Sequence, residues 1–147
     1  MILLAFFMRK ISEITVYISM LLWYNGYIKS KRTNKMNIAD LPRIHEQALD
    51  LATAAQRAFI AKHGEPMYCG FAWVNVPVDK GNTKSGKAQK LALEALGFRK
   101  AYQGGMEFWS PGGMNSQSMD VREAGADAYA AVLESHGITC YARSRAD

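Results

Sequence analysis

Among its 147 residues the chain has two cysteines, three histidines and four prolines. Cys69 and Cys140 stand far apart, and no CxxC pair or His/Cys spacing of a structural zinc site occurs. So few cysteines exclude a disulfide scaffold, and two buried, reduced thiols are the expectation. So few prolines, with 12 glycines and no repeat, exclude collagen-like and proline-rich segments. A hydrophobic share of 49% exceeds what disordered chains carry, and the length suits one domain with its own core.

Charge of one sign is also missing where it would matter. The formal net charge is +5, yet residues 1–35 hold six basic side chains against Glu13 alone. The remaining twelve basic and twelve acidic side chains, all in 36–147, cancel. The basic pI therefore belongs to the leader and is not the electrostatic footprint of a nucleic-acid-binding domain.

That leader, MILLAFFMRKISEITVYISMLLWYNGYIKSKRTNK, is rich in Ile, Leu, Tyr and Lys. Three readings compete. Residues 11–28 are barely long enough for a membrane anchor and contain Ser12, Glu13, Ser19 and Asn25. A secretory signal lacks both its early positive charge and its cleavage site. The preferred reading is translated upstream DNA with Met36 as the true start; a floppy tail is the remaining possibility. The expected division is a leader over 1–35 and one domain over 36–147.

From Met36 onward the pattern is regular. Asp40-Leu41-Pro42 reads as a helix start, and Ile44, Ala48, Leu51, Ala55 and Phe59 predict a helix over 41–62 that Gly64 stops. MYCGFAWVNV at 67–76 predicts a strand, and 77–85 a loop. Ala88, Leu91, Ala92 and Ala95 predict a helix over 87–96. Strands at 98–102 and 106–110 flank a glycine turn at Gln103-Gly104-Gly105. After a polar loop over 111–118, Asp120-Val121-Arg122-Glu123 has capping-box form and opens a helix that ends at Gly137; a strand over 138–145 follows. The fold class is α+β: a ferredoxin-like split βαβ, β-α-β-β-α-β, with an antiparallel sheet of order 4-1-3-2, two helices on one face and an extra N-terminal helix.

This topology starts the last two helices at opposite ends of the sheet. One end is expected to gather Cys69, Asn115, Ser116, Gln117, Arg143 and Arg145, a candidate anion site built from a helix N-terminus and two guanidiniums. The plainer reading is that Asn115, Ser116 and Ser118 cap the helix while both arginines face solvent. Gly81-Asn82-Thr83-Lys84-Ser85-Gly86-Lys87 matches the GxxxxGK of a phosphate-binding loop. Ala88 stands where the magnesium-holding hydroxyl belongs, which favours a mobile basic loop. A Cys nucleophile needs a positioned base, and His63 and His136 precede Gly64 and Gly137, where capping is their usual role.

Phe71 and Trp73 share a strand face with Asn75 and Cys69. With Trp109 and Tyr141 on the same side, that face would carry four rings beside Arg143 and Arg145, the physics of a base-stacking platform. Burial of the rings under the N-terminal helix, or in a dimer interface, is the plainer expectation. Residues 80–100 are basic and 101–136 acidic, as expected of two solvated faces of opposite sign.

The stretch WSPGGMNSQSMDVREAGADAYAAVLESHGI at 109–138, with Ala142-Arg143-Ser144-Arg145-Ala146-Asp147, resembles uncharacterised small proteins of tailed bacteriophages. The resemblance implies a phage or prophage gene expressed in host cytoplasm, brings no activity with it, and singles out Gln117, Ser118, Asp120 and Gly125. The combined expectation is a non-catalytic accessory binding protein with no cofactor and no metal. Its foremost partner class is another protein, a homodimer included. Single-stranded nucleic acid on the ring-bearing face is the first alternative, and a small enzyme at Cys69 and the 111–118 loop the second.

Overall fold

The structure, a computed structural model, describes residues 36–147. The readings of the leader, with its candidate anchor at 11–28, lie outside the described residues. Three helices and four strands follow in the order α1 (Leu41–His63), β1 (Gly70–Val76), α2 (Lys84–Ala95), β2 (Arg99–Lys100), β3 (Met106–Trp109), α3 (Met119–Ser135) and β4 (Tyr141–Ala146). The sheet is antiparallel with the order β2-β3-β1-β4. Among the described residues no helix is long and apolar enough to cross a membrane.

The alternation of β1 decides where the core lies. Gly70, Ala72, Val74 and Val76 are buried, while Phe71, Trp73 and Asn75 point to the other face. The buried set packs with Leu41, Ile44, Ala48 and Ala52 of α1, Leu93 of α2, and Ala126, Tyr129, Ala130 and Leu133 of α3. All three helices thus contribute to one core. The N-terminal helix does not cover the ring-bearing face, because its apolar stripe is spent on α3 and this core.

Helices α1 and α3 approach closely because small residues line the contact. A Cβ on Gly125 would lie 2.5 Å from the Pro111 carbonyl oxygen and 2.6 Å from Gln56 Nε2. Gln56 is 1% exposed. Its amide donates to Pro111 O at 3.3 Å and accepts from Met114 N–H at 3.4 Å. Thr53 adds a donation to Gly112 O at 2.7 Å. One helix therefore fastens the connection that leads into another.

Several boundaries differ from those read in the sequence. Strand β2 shrinks to two residues, since the chain leaves the ladder at Ala101 to make the glycine turn. Strand β4 starts later, at Tyr141. Helix α3 begins at Met119 with Ser118 as N-cap, so Asp120 falls inside the first turn and the expected capping box does not form. Asp40 makes no side-chain cap for α1; its carboxylate accepts from Asn37 Nδ2 at 2.8 Å.

The 77–83 loop is fastened to the first turns of α2. Asp79 Oδ2 accepts from Ser85 Oγ at 2.6 Å and Gln89 Nε2 at 3.0 Å, and Thr83 caps α2 through Gly86 N–H at 3.0 Å. A carboxylate and a threonine thus occupy the helix start where a phosphate would have to bind.

Candidate functional site: the open sheet face

Cross-strand register sorts the face opposite the helices into rows. Trp109, Trp73 and Arg143 form one row across β3, β1 and β4. Arg99, Glu107, Asn75 and Tyr141 form the next, and Phe71 with Arg145 a third. All four rings singled out in the sequence, Phe71, Trp73, Trp109 and Tyr141, therefore share one face.

The rings are not equivalent. Trp73 and Trp109 stack with centroids 4.7 Å apart and planes 14° from parallel. Phe71 meets Trp109 edge-on at 6.0 Å and lies near two guanidiniums, Arg122 at 5.5 Å and Arg145 at 5.8 Å. Trp109 is 40% exposed and Tyr141 47%. Arg143 and Arg145 are exposed, and neither has a carboxylate partner among the described residues.

A groove of about 390 Å³ runs beside the indole pair. Its walls come from the sheet (Trp73, Asn75, Glu107, Trp109, Arg143 and Arg145) and from residues 101–104 of the β2–β3 turn. Asn75 Nδ2 donates to Gly104 O at 3.1 Å and ties the turn to β1. Gly105 is required there: its φ is +78°, and a Cβ would lie 2.7 Å from Val76 O. Tyr102 at the tip is fully exposed. Glu107, Gln103 and Tyr102 were missed in the sequence, where the turn gave only its glycine signal; the strand period, read from Trp109, would have found Glu107.

The candidate site at the sheet's other end comes together in part. Cys69 bridges Ser118, Gly70 N–H donates to Gln117 O at 3.2 Å, and Met119 N–H to Tyr68 O at 2.8 Å. Cys69, Ser116 and Gln117 are thus neighbours of the α3 start, while Asn115 is exposed. Arg143 lies opposite Trp73, and Arg145 opposite Phe71, where its guanidinium and that of Arg122 flank the same ring. The Arg122 guanidinium is spent: Nε donates to Ser116 O at 2.7 Å and Nη1 to Gly70 O at 2.9 Å. Ser116 Oγ donates to Glu65, so a carboxylate also sits beside the helix start. This arrangement fastens the loop that leads into α3.

Both cysteines are free thiols, and they differ: Cys69 is exposed and Cys140 buried. The expectation of two buried thiols fails for Cys69, which lies before β1 enters the core. Its Sγ has the Met67 carbonyl at 3.8 Å and Gln117 Oε1 at 3.9 Å as polar neighbours, both acceptors and neither a base. His45 is committed elsewhere, its Nδ1 2.5 Å from the buried Tyr129 hydroxyl, and burial holds its pKa below the ordinary 6.5. His136 Nε2 meets Gln47 Oε1 at 3.2 Å on the helical side. Among the described residues no group of three His, Cys, Asp or Glu is arranged to hold a metal ion.

No protein-family model, curated protein or solved structure matches the chain.

Proposed function

We propose that this chain is a binding protein whose working surface is the open sheet face, and that its ligand is single-stranded nucleic acid. The observation that carries the reading is the row Trp109–Trp73–Arg143 with Arg145 beside it: an exposed and a half-buried indole, stacked, adjoining two guanidiniums that have no carboxylate partner among the described residues. Aromatic planes stack with bases of any sequence, and guanidiniums without a carboxylate partner donate to phosphate oxygens. A single strand supplies both at regular spacing, whereas a duplex hides its base faces.

The occupancy by a second copy, weighed in the sequence, meets an electrostatic objection. The face carries Arg99, Arg143 and Arg145 against Glu107, so a two-fold pairing would bury four surplus positive charges. An anionic ligand relieves what a twin would aggravate. The near-neutral 36–147 region is compatible with this reading if affinity comes from stacking, worth about 1–3 kcal/mol per base, and only two phosphates are engaged. Binding is then weak, in the micromolar range or above, as about 8 kcal/mol corresponds to micromolar affinity.

The strand connectivity supports assigning the fold to the ferredoxin-like class, with α1 as an addition to it. On the resemblance of 109–138 to phage proteins, the reading extends to a phage-encoded accessory protein of the host cytoplasm. Free thiols fit such a reducing compartment.

The test is a tryptophan-fluorescence titration of the full chain with a short single-stranded oligonucleotide and with its duplex. The reading expects saturable quenching by the single strand, little by the duplex, and loss of quenching in Trp73→Ala. Equal response to both forms, or none to either together with sedimentation as a dimer, refutes it.

A further inference from the structure

The groove beside the indoles is lined with acceptors as well as arginines. Glu107 lies directly opposite Asn75 in the β1–β3 ladder, one row from the stacked pair and on the same face. The Glu107 carboxylate makes no hydrogen bond or ion pair among the described residues, with Arg99 as its neighbour on the β2 side. The Asn75 amide is oriented by its donation to Gly104 O, so Oδ1 is the atom left to accept. Two acceptor groups thus sit within the same groove as Trp73, Trp109, Arg143 and Arg145. Phosphate alone has no use for a carboxylate. A ligand that satisfies the whole groove must offer a flat ring, an edge of hydrogen-bond donors and an anionic tail.

We propose, resting on the single-strand reading above, that Glu107 is a base-edge reader that favours guanine. The warrant is donor geometry. Guanine presents two adjacent donors, N1–H and the N2 amino group, and a carboxylate has two adjacent oxygens to receive them. Cytosine and adenine each offer one amino group next to a ring-nitrogen acceptor, which the second carboxylate oxygen repels. Thymine and uracil offer one N–H between two carbonyls. The match of two donors to two acceptors is the same bidentate logic by which arginine reads guanine, with the roles reversed. A base stacked on the indole pair and turned toward Glu107 leaves its phosphate on the β4 side, where Arg143 and Arg145 stand.

The experiment uses the full chain and three oligothymidylate strands: one with a single central guanine, one with inosine at that position and one unmodified. Inosine keeps N1–H and loses the N2 amino group. The guanine strand is expected to bind about fivefold tighter than plain oligothymidylate, near the low end of a bidentate base contact because the groove is open. Inosine is expected to fall between them, and Glu107→Gln to bring all three within twofold of one another. If the three strands bind the wild-type chain alike, and Trp73→Ala still abolishes binding, the base-reading role is overturned while the single-strand reading stands. If no strand binds at all, both fall. A guanine preference that survives in Glu107→Gln also overturns the role of this carboxylate.

Discussion

Trp73 and Trp109 face each other across the β1–β3 ladder at 4.7 Å, nearly parallel, on the side of the sheet that no helix among the described residues covers. Two indoles stacked at a surface gain about 0.5–1.5 kcal/mol from each other beyond their burial. Trp73→Ala is therefore expected to lower stability by about 1–2 kcal/mol, with the change read from a urea midpoint at constant slope. The same variant should lose single-strand binding outright. A loss of stability near that of a core truncation, about 3–5 kcal/mol, would mean that the pair is a structural element and not a ligand platform.

The contact of α1 with α3 gives a prediction in which two effects oppose. Gly125→Ala gains about 1 kcal/mol in helix propensity. It also forces a methyl to within 2.5 Å of the Pro111 carbonyl, which Gln56 holds in place while Thr53 fastens the next carbonyl, that of Gly112. Overpacking of that kind costs about 1–3 kcal/mol, so net destabilisation is expected, whereas Gly81→Ala, facing open space, should change little. Gln56→Leu should cost about 2 kcal/mol or more, because a buried carbonyl and an N–H lose their partner. Chemical denaturation of the three variants checks all of this.

The two thiols should separate cleanly. Burial pushes Cys140 up to about 12, so it stays protonated and shielded. Cys69 is exposed. A mild alkylating agent followed by peptide mass mapping is expected to label Cys69 in the folded chain and to reach Cys140 only after denaturation. Rapid labelling of Cys140 in the native state would contradict the packing of β4 against α3.

His45 contributes an acid-sensitive contact to the core. Burial disfavours its imidazolium, and the nearby Glu46 offsets only part of this, so the folded pKa lies below the unfolded value of 6.5. The stability this contributes is fully present above that value and is lost as pH falls through the folded one, since the unfolded chain then binds the extra proton. Unfolding free energy measured from about pH 7 to about pH 5 should decline in the wild type and decline less in His45→Gln. An identical slope in both would place the acid sensitivity elsewhere.

The sequence carried the open face because period-two spacing put Phe71 and Trp73 together and the strand order brought Trp109 and Tyr141 beside them. It failed at the other end of the sheet for a definable reason. The sequence offers Arg143 and Arg145 to both the edge and the ring-bearing face; position late in β4 suggests the edge, and alternation along the strand sets them on the face with the rings. The clamps formed by Arg122, Gln56 and Asp79 were illegible. Each joins residues distant in sequence or turns a polar side chain inward, and neither hydrophobic period nor cap pattern marks such a bond. Helix α3 began a residue early because Ser118 is pinned through its backbone N–H to Ser116 Oγ at 3.1 Å, a contact that no capping motif encodes.

The salt dependence of single-strand binding by the full chain, compared with Arg143→Ala/Arg145→Ala, tests the central claim most directly. The leader's own charges are common to both proteins and cancel in the comparison. Each phosphate engaged on a single strand contributes about 0.7 to the slope of log affinity against log salt, so removal of both guanidiniums should flatten that slope by about 1.4. An unchanged slope in the double variant would mean that these arginines do not meet phosphate, and that the sheet face is not where a strand binds.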